Sequence, residues 1–436
     1  AIGHLNASFA LANQWREREH RVVYCAVEAE HKKRIEDNGF ECVMLDYLLD
    51  SDKQELRVKG LRFILECVIS AFTQEREQAF SRRAADWEKK IAELSPDRVC
   101  MDAQCAMHMA LYHKLGIPVI AVETMPLSLY DPWVPPFTSG LIPKQTSISR
   151  LGIRLAWEKI VIARKIRNLF FSMLLCRQDY FSLYKRLFLE CGFPFEENID
   201  WRRPFIVGIK GIEILSMTPA SLDFPHKYPP KCQYAPSRVD LKREENMLNK
   251  RYLRVMEDVC LLKQQRPDTK IIYCFSSTVM GFEKRSKIIF MKIRDICLRN
   301  PQFVFILSVG KYHNTSYLLP CPSNLYVFQQ VPQLHLLSYC DLMITSGGMN
   351  SIAECIEKEV PMLVCPLSLK SDQLGNSARV VYHGLGLRAR IKLDSSRTIE
   401  KRIVQLFENY ATFKRNLSMM RTKILAESTA INTEAI

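Results

Sequence analysis

Between Gln330 and Gly386 the chain carries residues whose types and order could do chemistry on a phosphorylated, hydroxylated ligand. Thr345-Ser346-Gly347-Gly348-Met349-Asn350-Ser351 reads as the end of an apolar strand, a glycine turn and a helix start. Glycines at such a turn let backbone N–H groups approach an anion, and the helix N-terminus adds a favourable dipole. Glu354 follows one turn later; a carboxylate only accepts hydrogen bonds, which suits a pair of ribose hydroxyls. Asp372-Gln373 lies just beyond the next apolar run and could bond sugar hydroxyls. A lone Gly-Gly turn occurs just as readily for packing, so the weight rests on the set, which points to a nucleotide-sugar site.

Such a site needs elements to hold it, and the chain supplies them twice. In the second half, buried strands are expected at Lys270–Phe275, Phe303–Ser308, Leu325–Phe328, Leu342–Thr345 and Met362–Cys365. Helices are expected at Lys284–Arg299, Leu334–Ser338, Ser351–Lys358, Gly375–His383 and, as one long element, Thr398–Ala426. In the first half, strands at Arg21–Val27, Cys42–Leu45, Asp97–Met101 and Pro118–Val122 alternate with helices at Leu5–Glu19, Glu55–Leu94 and Ala103–Leu115. Leu151–Cys191 reads as helix, basic and aromatic, and Phe205–Met217 as strand-like. This βαβ rhythm gives an α/β class with parallel sheets. The prolines at 225, 229, 230 and 236 suggest a linker, so we expect domains at 1–225 and 246–436 joined by 226–245, with the last helix returning to the first domain.

Composition narrows the class. With 436 residues, 47% hydrophobic content and a net charge of +14, the chain is long enough for two basic globular domains. No nucleic-acid module appears, and no apolar run reaches the ~18 residues of a membrane span. The fifteen cysteines form no Cys-x-x-Cys pair, and Cys25, Cys100, Cys274 and Cys365 sit in apolar runs. Buried thiols in a reducing, cytoplasmic setting are the expectation. There is no signal-peptide pattern, and the start at Ala1-Ile2-Gly3-His4, without the apolar strand expected ahead of a Gly-His turn, suggests a trimmed N-terminus.

Taken with Gln330-Val331-Pro332-Gln333 and Gly384-Leu385-Gly386, the Gln330–Gly386 stretch resembles the donor-binding signature of glycosyltransferase family 1, the UDP-glycosyltransferase superfamily, in its bacterial macrolide and carotenoid style. Gly3-His4-Leu5-Asn6, Pro96 to Asp102 with Leu115-Gly116-Ile117-Pro118, Thr218 to Pro225 and Tyr273 to Val279 extend the likeness over nearly the whole chain. The resemblance implies a GT-B fold, two Rossmann-like domains facing across a cleft, and metal-independent inverting transfer from a nucleotide-diphosphate sugar. It implies His4 as general base, oriented by Asp102. A neutral imidazole with a carboxylate on its other nitrogen suits that task. It further implies Val331 and Gln333 at the base edge, Glu354 on the ribose, and Thr278, Ser351 and the Gly347, Gly348 and Asn350 amides on the diphosphate. Asp372 and Gln373 would bind the sugar. Two positions depart from the pattern: Gln330 replaces the tryptophan that plant members stack on uracil, and Ser346 replaces a phosphate-binding histidine.

We therefore expect an O-glycosyltransferase using UDP-glucose as co-substrate, with dTDP-deoxysugars left open as donors and no bound cofactor, acting on a lipophilic small molecule. A monomer or weak dimer is expected, and peripheral membrane contact stays open. Because of Ser346 and Gln330, a catalytically silent binding protein of the same fold stays open, as does a sugar-nucleotide epimerase. Asp50-Ser51-Asp52 is read as solvated surface, not a metal site. His108 and His113 have no metal-ligand spacing, and Gly384-x-Gly386 lacks the rest of a dinucleotide fingerprint. Residues 151–188 read as amphipathic helices covering the first domain, as the roof of an apolar pocket, or as a membrane-facing surface.

Overall fold

A computed structural model describes residues 2–205, 207–235, 239, 241, 249–275, 283–310 and 314–429. The chain divides into two units: Ala1–Pro136, Gln145–Met217 and His226–Ala235 in the first, and Phe137–Lys144, Thr218–Pro225 and Pro236–Ile436 in the second. The boundary is thus interleaved, with two short segments from the first half of the chain belonging to the second unit.

The first unit runs α1 (Ile2–Arg16), β1 (Val23–Ala26), α2 (Ala29–Asp37), β2 (Glu41–Met44), α3 (Asp52–Lys59), α4 (Leu61–Thr73), α5 (Glu75–Leu94) and β3 (Val99–Asp102). It continues with α6 (Met109–Lys114), β4 (Val119–Glu123), α7 (Ser147–Leu174), α8 (Tyr180–Glu190), α9 (Phe195–Asn198), β5 (Glu213–Ser216) and β6 (Gln233–Tyr234). All strand pairs are parallel, β1 with β2 in one sheet and β3-β4-β5-β6 in another. Parallel neighbours need crossovers, and the helices supply them while closing a core around Trp87, Tyr184 and Phe188.

Several boundaries differ from the sequence reading for local reasons. The expected helix over 55–94 is three helices, because Gly60 (φ 57°) and Gln74 (φ 58°) adopt backbone conformations that end a helix. α1 starts at Ile2, so Gly3 and His4 lie in its first turn and not in a strand-end turn. The 205–217 stretch is strand only at Glu213–Ser216. Upstream of it Arg203 is buried against Glu123 (2.5 Å), whose carboxylate also accepts from the Ser128 amide and hydroxyl, so the buried ion pair is hydrogen-bonded on several sides.

The second unit runs α10 (Lys250–Gln265), β7 (Lys270–Phe275), α11 (Glu283–Arg299), β8 (Phe303–Ser308), β9 (Leu325–Phe328), α12 (Gln333–Leu337), β10 (Leu342–Thr345), α13 (Met349–Glu357), β11 (Met362–Val364), α14 (Gln373–Tyr382), β12 (Gly386–Arg388), α15 (Ser396–Glu408) and α16 (Tyr410–Thr429). Among the described residues its six strands form one parallel sheet in the order β12-β11-β10-β7-β8-β9. Strand alternation sends Ile271, Tyr273 and Met343 into one core and Ile272, Cys274 and Ile344 into the other. The expected long terminal helix breaks at Asn409, the C-cap of α15. α16 then packs on the Thr218–Pro225 segment, where Ser221 N–H donates to Glu427 Oε1 (2.8 Å).

Candidate functional site

In the second unit the strand order reverses between β7 and β10. In an open α/β sheet that reversal opens a crevice at the carboxyl ends of the strands, where ligands bind. The Ser346-Gly347-Gly348 turn comes directly off the carboxyl end of β10. Gly347 has φ +88° and donates its N–H to Thr345 Oγ1 (3.2 Å). A Cβ there would sit 2.7 Å from Val364 Cγ1, so both conformation and space require glycine. Gly348 caps α13 with φ −68° and open space around it. Its lack of a side chain keeps the helix N-terminus accessible, which is what an anion needs.

The other residues expected on the donor side gather around this turn. Glu354 and Ser351 are buried on α13, and Gln333, the first residue of α12, donates to Glu354 Oε2 (2.7 Å) and Ser351 Oγ (3.4 Å). Tyr273 on β7 in turn donates to Gln333 Oε1 (3.0 Å). The Gln333 side chain therefore holds the Glu354 carboxylate in place, a role beyond the backbone contact expected of it. Asn350 and Gln330 are exposed, Val331 is half-buried and Ser346 is buried. Asp372 N-caps α14, and Gln373 begins it. Gln373 Oε1 accepts from the Leu367 and Ser368 amides (both 2.8 Å), so its carbonyl clamps the preceding loop. Thr278 lies outside the described residues.

Asn376 belongs to the same Gln330–Gly386 stretch, but the sequence reading gives it no role. It is fully buried, and its Nδ2 donates to both Gly347 O (2.9 Å) and Asp372 Oδ2 (2.7 Å). One side chain thus fixes the glycine turn relative to Asp372. The signal was present: Asn376 stands four residues after Asp372, on the same helix face. A cavity of about 310 Å³ lined by Cys260, Lys263, Ile271 and Tyr339 adjoins the amino end of β7, away from this cradle.

In the first unit His4 Nδ1 lies 2.5 Å from Asp102 Oδ2. The two side chains are 23% and 29% exposed, reachable yet mostly shielded. Asp102 ends β3 and N-caps the following 3₁₀ turn, accepting from Gln104 N–H (2.8 Å). Burial pushes the Asp102 carboxyl up, but hydrogen bonding and charge from His4, with the Gln104 amide, outweigh it and hold the carboxyl below its usual range. An ionised Asp102 on Nδ1 keeps the proton there and leaves Nε2 as a base.

Asp52 corrects the sequence reading. It is not solvated surface: it is buried, and both its oxygens accept from Tyr180 N–H (3.1 and 3.0 Å) at the start of α8. Burial pushes its carboxyl up to about 6 despite that hydrogen bond. Among the described residues no cluster of His, Cys, Asp and Glu suits a metal ion. His108 is half-buried in a stack with Trp87 (4.5 Å between ring centres), and desolvation lowers its pKa to about 4. Gly386 serves packing, since a Cβ there would meet Met362 O at 2.0 Å. Cys274 and Cys365 are buried as expected, whereas Cys25 and Cys100 are exposed.

Residues 316–426 match the family model described as UDP-glucoronosyl and UDP-glucosyl transferase. The NDP-glycosyltransferase YjiC of Bacillus subtilis is 37% identical over 98 residues, 22% of this chain and 24% of the relative. The zeaxanthin glucosyltransferase of Pantoea ananas is 34% identical over 88 residues, 20% of this chain and 20% of the relative. These matches span about a quarter or less of the curated relatives' length. The fold is that of solved GT-B glycosyltransferases. The glycotransferase of kitacinnamycin superposes with a TM-score of 0.66 at 18% identity, covering 98% of this chain and 93% of the other. The spinosyn rhamnosyltransferase SpnG complexed with thymidine diphosphate gives 0.58 at 14%, covering 100% and 96%. The second unit, with its glycine turn at a sheet switch point, contains the stretch that matches the UDP-glucoronosyl and UDP-glucosyl transferase model.

Proposed function

We propose that the chain is an inverting glycosyltransferase that moves a hexose from a nucleotide-diphosphate sugar, UDP-glucose foremost, to a hydroxyl of a lipophilic small molecule. The observation that carries the reading is the His4–Asp102 contact at 2.5 Å, a base held in one tautomer by a carboxylate. His4 Nε2 takes the proton of the acceptor hydroxyl, and Asp102 stabilises the imidazolium that forms. The oxygen attacks the anomeric carbon from the side opposite the leaving diphosphate, so the configuration inverts. The Gly347–Ser351 amides at the start of α13 receive the charge that develops on the diphosphate. Glu354, steadied by Gln333, accepts from the ribose hydroxyls, and Asp372 and Gln373 engage the sugar. Ser346 leaves the leaving group with a neutral donor in place of a charged one, so modest turnover fits this site.

The names of the similar proteins support both parts: an NDP-glycosyltransferase and a zeaxanthin glucosyltransferase for the reaction and a lipophilic acceptor. The thymidine diphosphate complex favours a dTDP-sugar as the second donor to try. The test is release of nucleoside diphosphate from UDP-glucose and dTDP-glucose with a panel of hydroxylated, lipophilic acceptors. Release that needs an acceptor and is lost in His4→Ala, with donor binding kept, is expected. Equal release by wild type and His4→Ala ends the assignment of the base. Donor binding without turnover on any acceptor favours the silent binding protein, and acceptor-free conversion of the donor favours an epimerase.

A further inference from the structure

A helix on a globular surface ordinarily turns its apolar face inward and its polar face to water. α7 turns apolar residues both ways. Ile153, Trp157, Arg164 and Asn168 are buried, and Trp157 Nε1 donates to Val134 O (2.9 Å). On the opposite face Ile148, Leu155, Ile162, Ile166, Leu169 and Met173 are 85%, 59%, 56%, 63%, 62% and 73% exposed. α4 repeats the pattern. Phe63, Cys67 and Ser70 face inward, and Leu61, Leu65, Ile69 and Phe72 are 78%, 60%, 57% and 85% exposed. The two helices meet in one cluster, where Phe63, Ile64 and Cys67 of α4 pack with Phe171 and Leu174 of α7. The outward stripes therefore belong to neighbouring elements of the first unit, and an exposed apolar area of this kind marks a binding surface.

Charge decides what the surface fits. Arg154, Lys159 and Lys165 are exposed beside the α7 stripe, and Arg62 is 83% exposed beside that of α4. Glu158, the acid of α7, is paired with Arg202 (3.2 Å), and Glu66 of α4 is paired with Lys59 (3.2 Å) and Arg62 (3.1 Å). Two copies of this face would bring like charges together within a chain already at +14. An anionic surface with an apolar interior matches both features. None of the described helices is long and apolar enough to cross a membrane, so the helices would lie in the interface. We propose that the outward faces of α4 and α7 bind the surface of an anionic lipid bilayer. This surface involves none of the proposed donor or base residues, so the proposal stands or falls apart from the transferase reading.

The test is co-sedimentation of the full chain with phosphatidylcholine vesicles, with and without phosphatidylglycerol. Binding is expected to need phosphatidylglycerol and to weaken with added salt. Leu155→Glu/Ile162→Glu/Leu169→Glu should reduce it by about a hundredfold, and Lys159→Glu/Lys165→Glu by at least about tenfold. Both variants should keep the wild-type circular dichroism spectrum and nucleotide binding. Should the triple variant fail to fold, the charge variant, whose apolar stripe is intact, carries the test. Wild-type protein that ignores phosphatidylglycerol vesicles, or binds neutral ones equally well, overturns the proposal. So does a dimer in light scattering that the triple variant dissociates while vesicle binding is absent, which would make the face a self-association surface.

Discussion

In the first unit His4 meets Asp102 across 98 residues of sequence and Tyr180 reaches Asp52 across 128. In the second unit Thr345, Gly347, Ser351, Glu354, Asp372 and Asn376 form one cradle within a single short stretch, with Gln333 and Tyr273 bracing it. The two units therefore distribute their polar sites differently. A site made of backbone amides at a turn constrains the local sequence directly, because only glycine fits where φ is +88° and Val364 closes in. A site made of two side chains brought together by a fold asks only for the right residue at each end. Its segments are otherwise free to vary, and the family model accordingly matches at 316–426.

Variants can break or sharpen this contrast. The largest effect is expected from His4→Ala, which should lower turnover by about 10²–10⁴-fold and leave nucleotide affinity unchanged. A matching loss of affinity in a competition assay would mean that the two sites are not separable. Asp52 comes next, through pH. Its folded pKa of about 6 lies above the ordinary 3.8, so between these values the folded chain holds a proton that the unfolded chain releases. Stability from this group is thus present at low pH and lost as pH rises through that window, by about 3 kcal/mol at most. Urea unfolding of wild type and Asp52→Asn should diverge across about pH 4 to 6; parallel curves would show that Asp52 is not desolvated as described.

In the second unit Gly347→Ala should weaken nucleotide binding by tenfold or more, since strain of about 1–3 kcal/mol falls on the turn itself. Calorimetry with UDP reads it, and an unchanged affinity would put the anion elsewhere. The smallest effect is expected from Asn376→Ala. Losing its bonds to Gly347 and Asp372 should cost about 1–2 kcal/mol of stability and a severalfold rise in KM for the donor. An intact KM would make Asn376 a core residue only.

The same contrast explains what was legible in the sequence. The six strands of the second unit include five read as apolar runs, and the cradle residues follow from glycine, acid and helix-start chemistry. β12 escaped because three residues ending in Arg388 carry no alternation to read. In the first unit the helix breaks at Gly60 and Gln74 turn on single left-side φ values, which a charged, periodic stretch conceals. Asp52 was misread because a polar triplet looks solvated until the segment carrying Tyr180 arrives to bury it. The His4–Asp102 pairing was reached by resemblance and not by periodicity, and His4 itself proved to sit inside α1. The exposure of Cys25 and Cys100 went unforeseen because apolar neighbours in sequence do not say which face of a strand is covered.

Residues 137–144 come from the middle of the first half of the chain yet belong to the second unit. Phe137 O accepts from Gly375 N–H (3.0 Å), any Cβ at Gly375 would stand 2.1 Å from that oxygen, and Arg388 Nη1 donates to Gly140 O (2.8 Å). The buried Arg379–Asp223 pair (2.6 Å) ties a second borrowed segment to the same helix. The second unit is therefore not a cassette that can be cut at Pro236 and moved between homologues. A chimera joined there would keep Gly375, Arg379 and Arg388 while exchanging the carbonyls and the carboxylate they were fitted to. Under the proposed function, donor specificity should transfer only when the two borrowed segments travel with it.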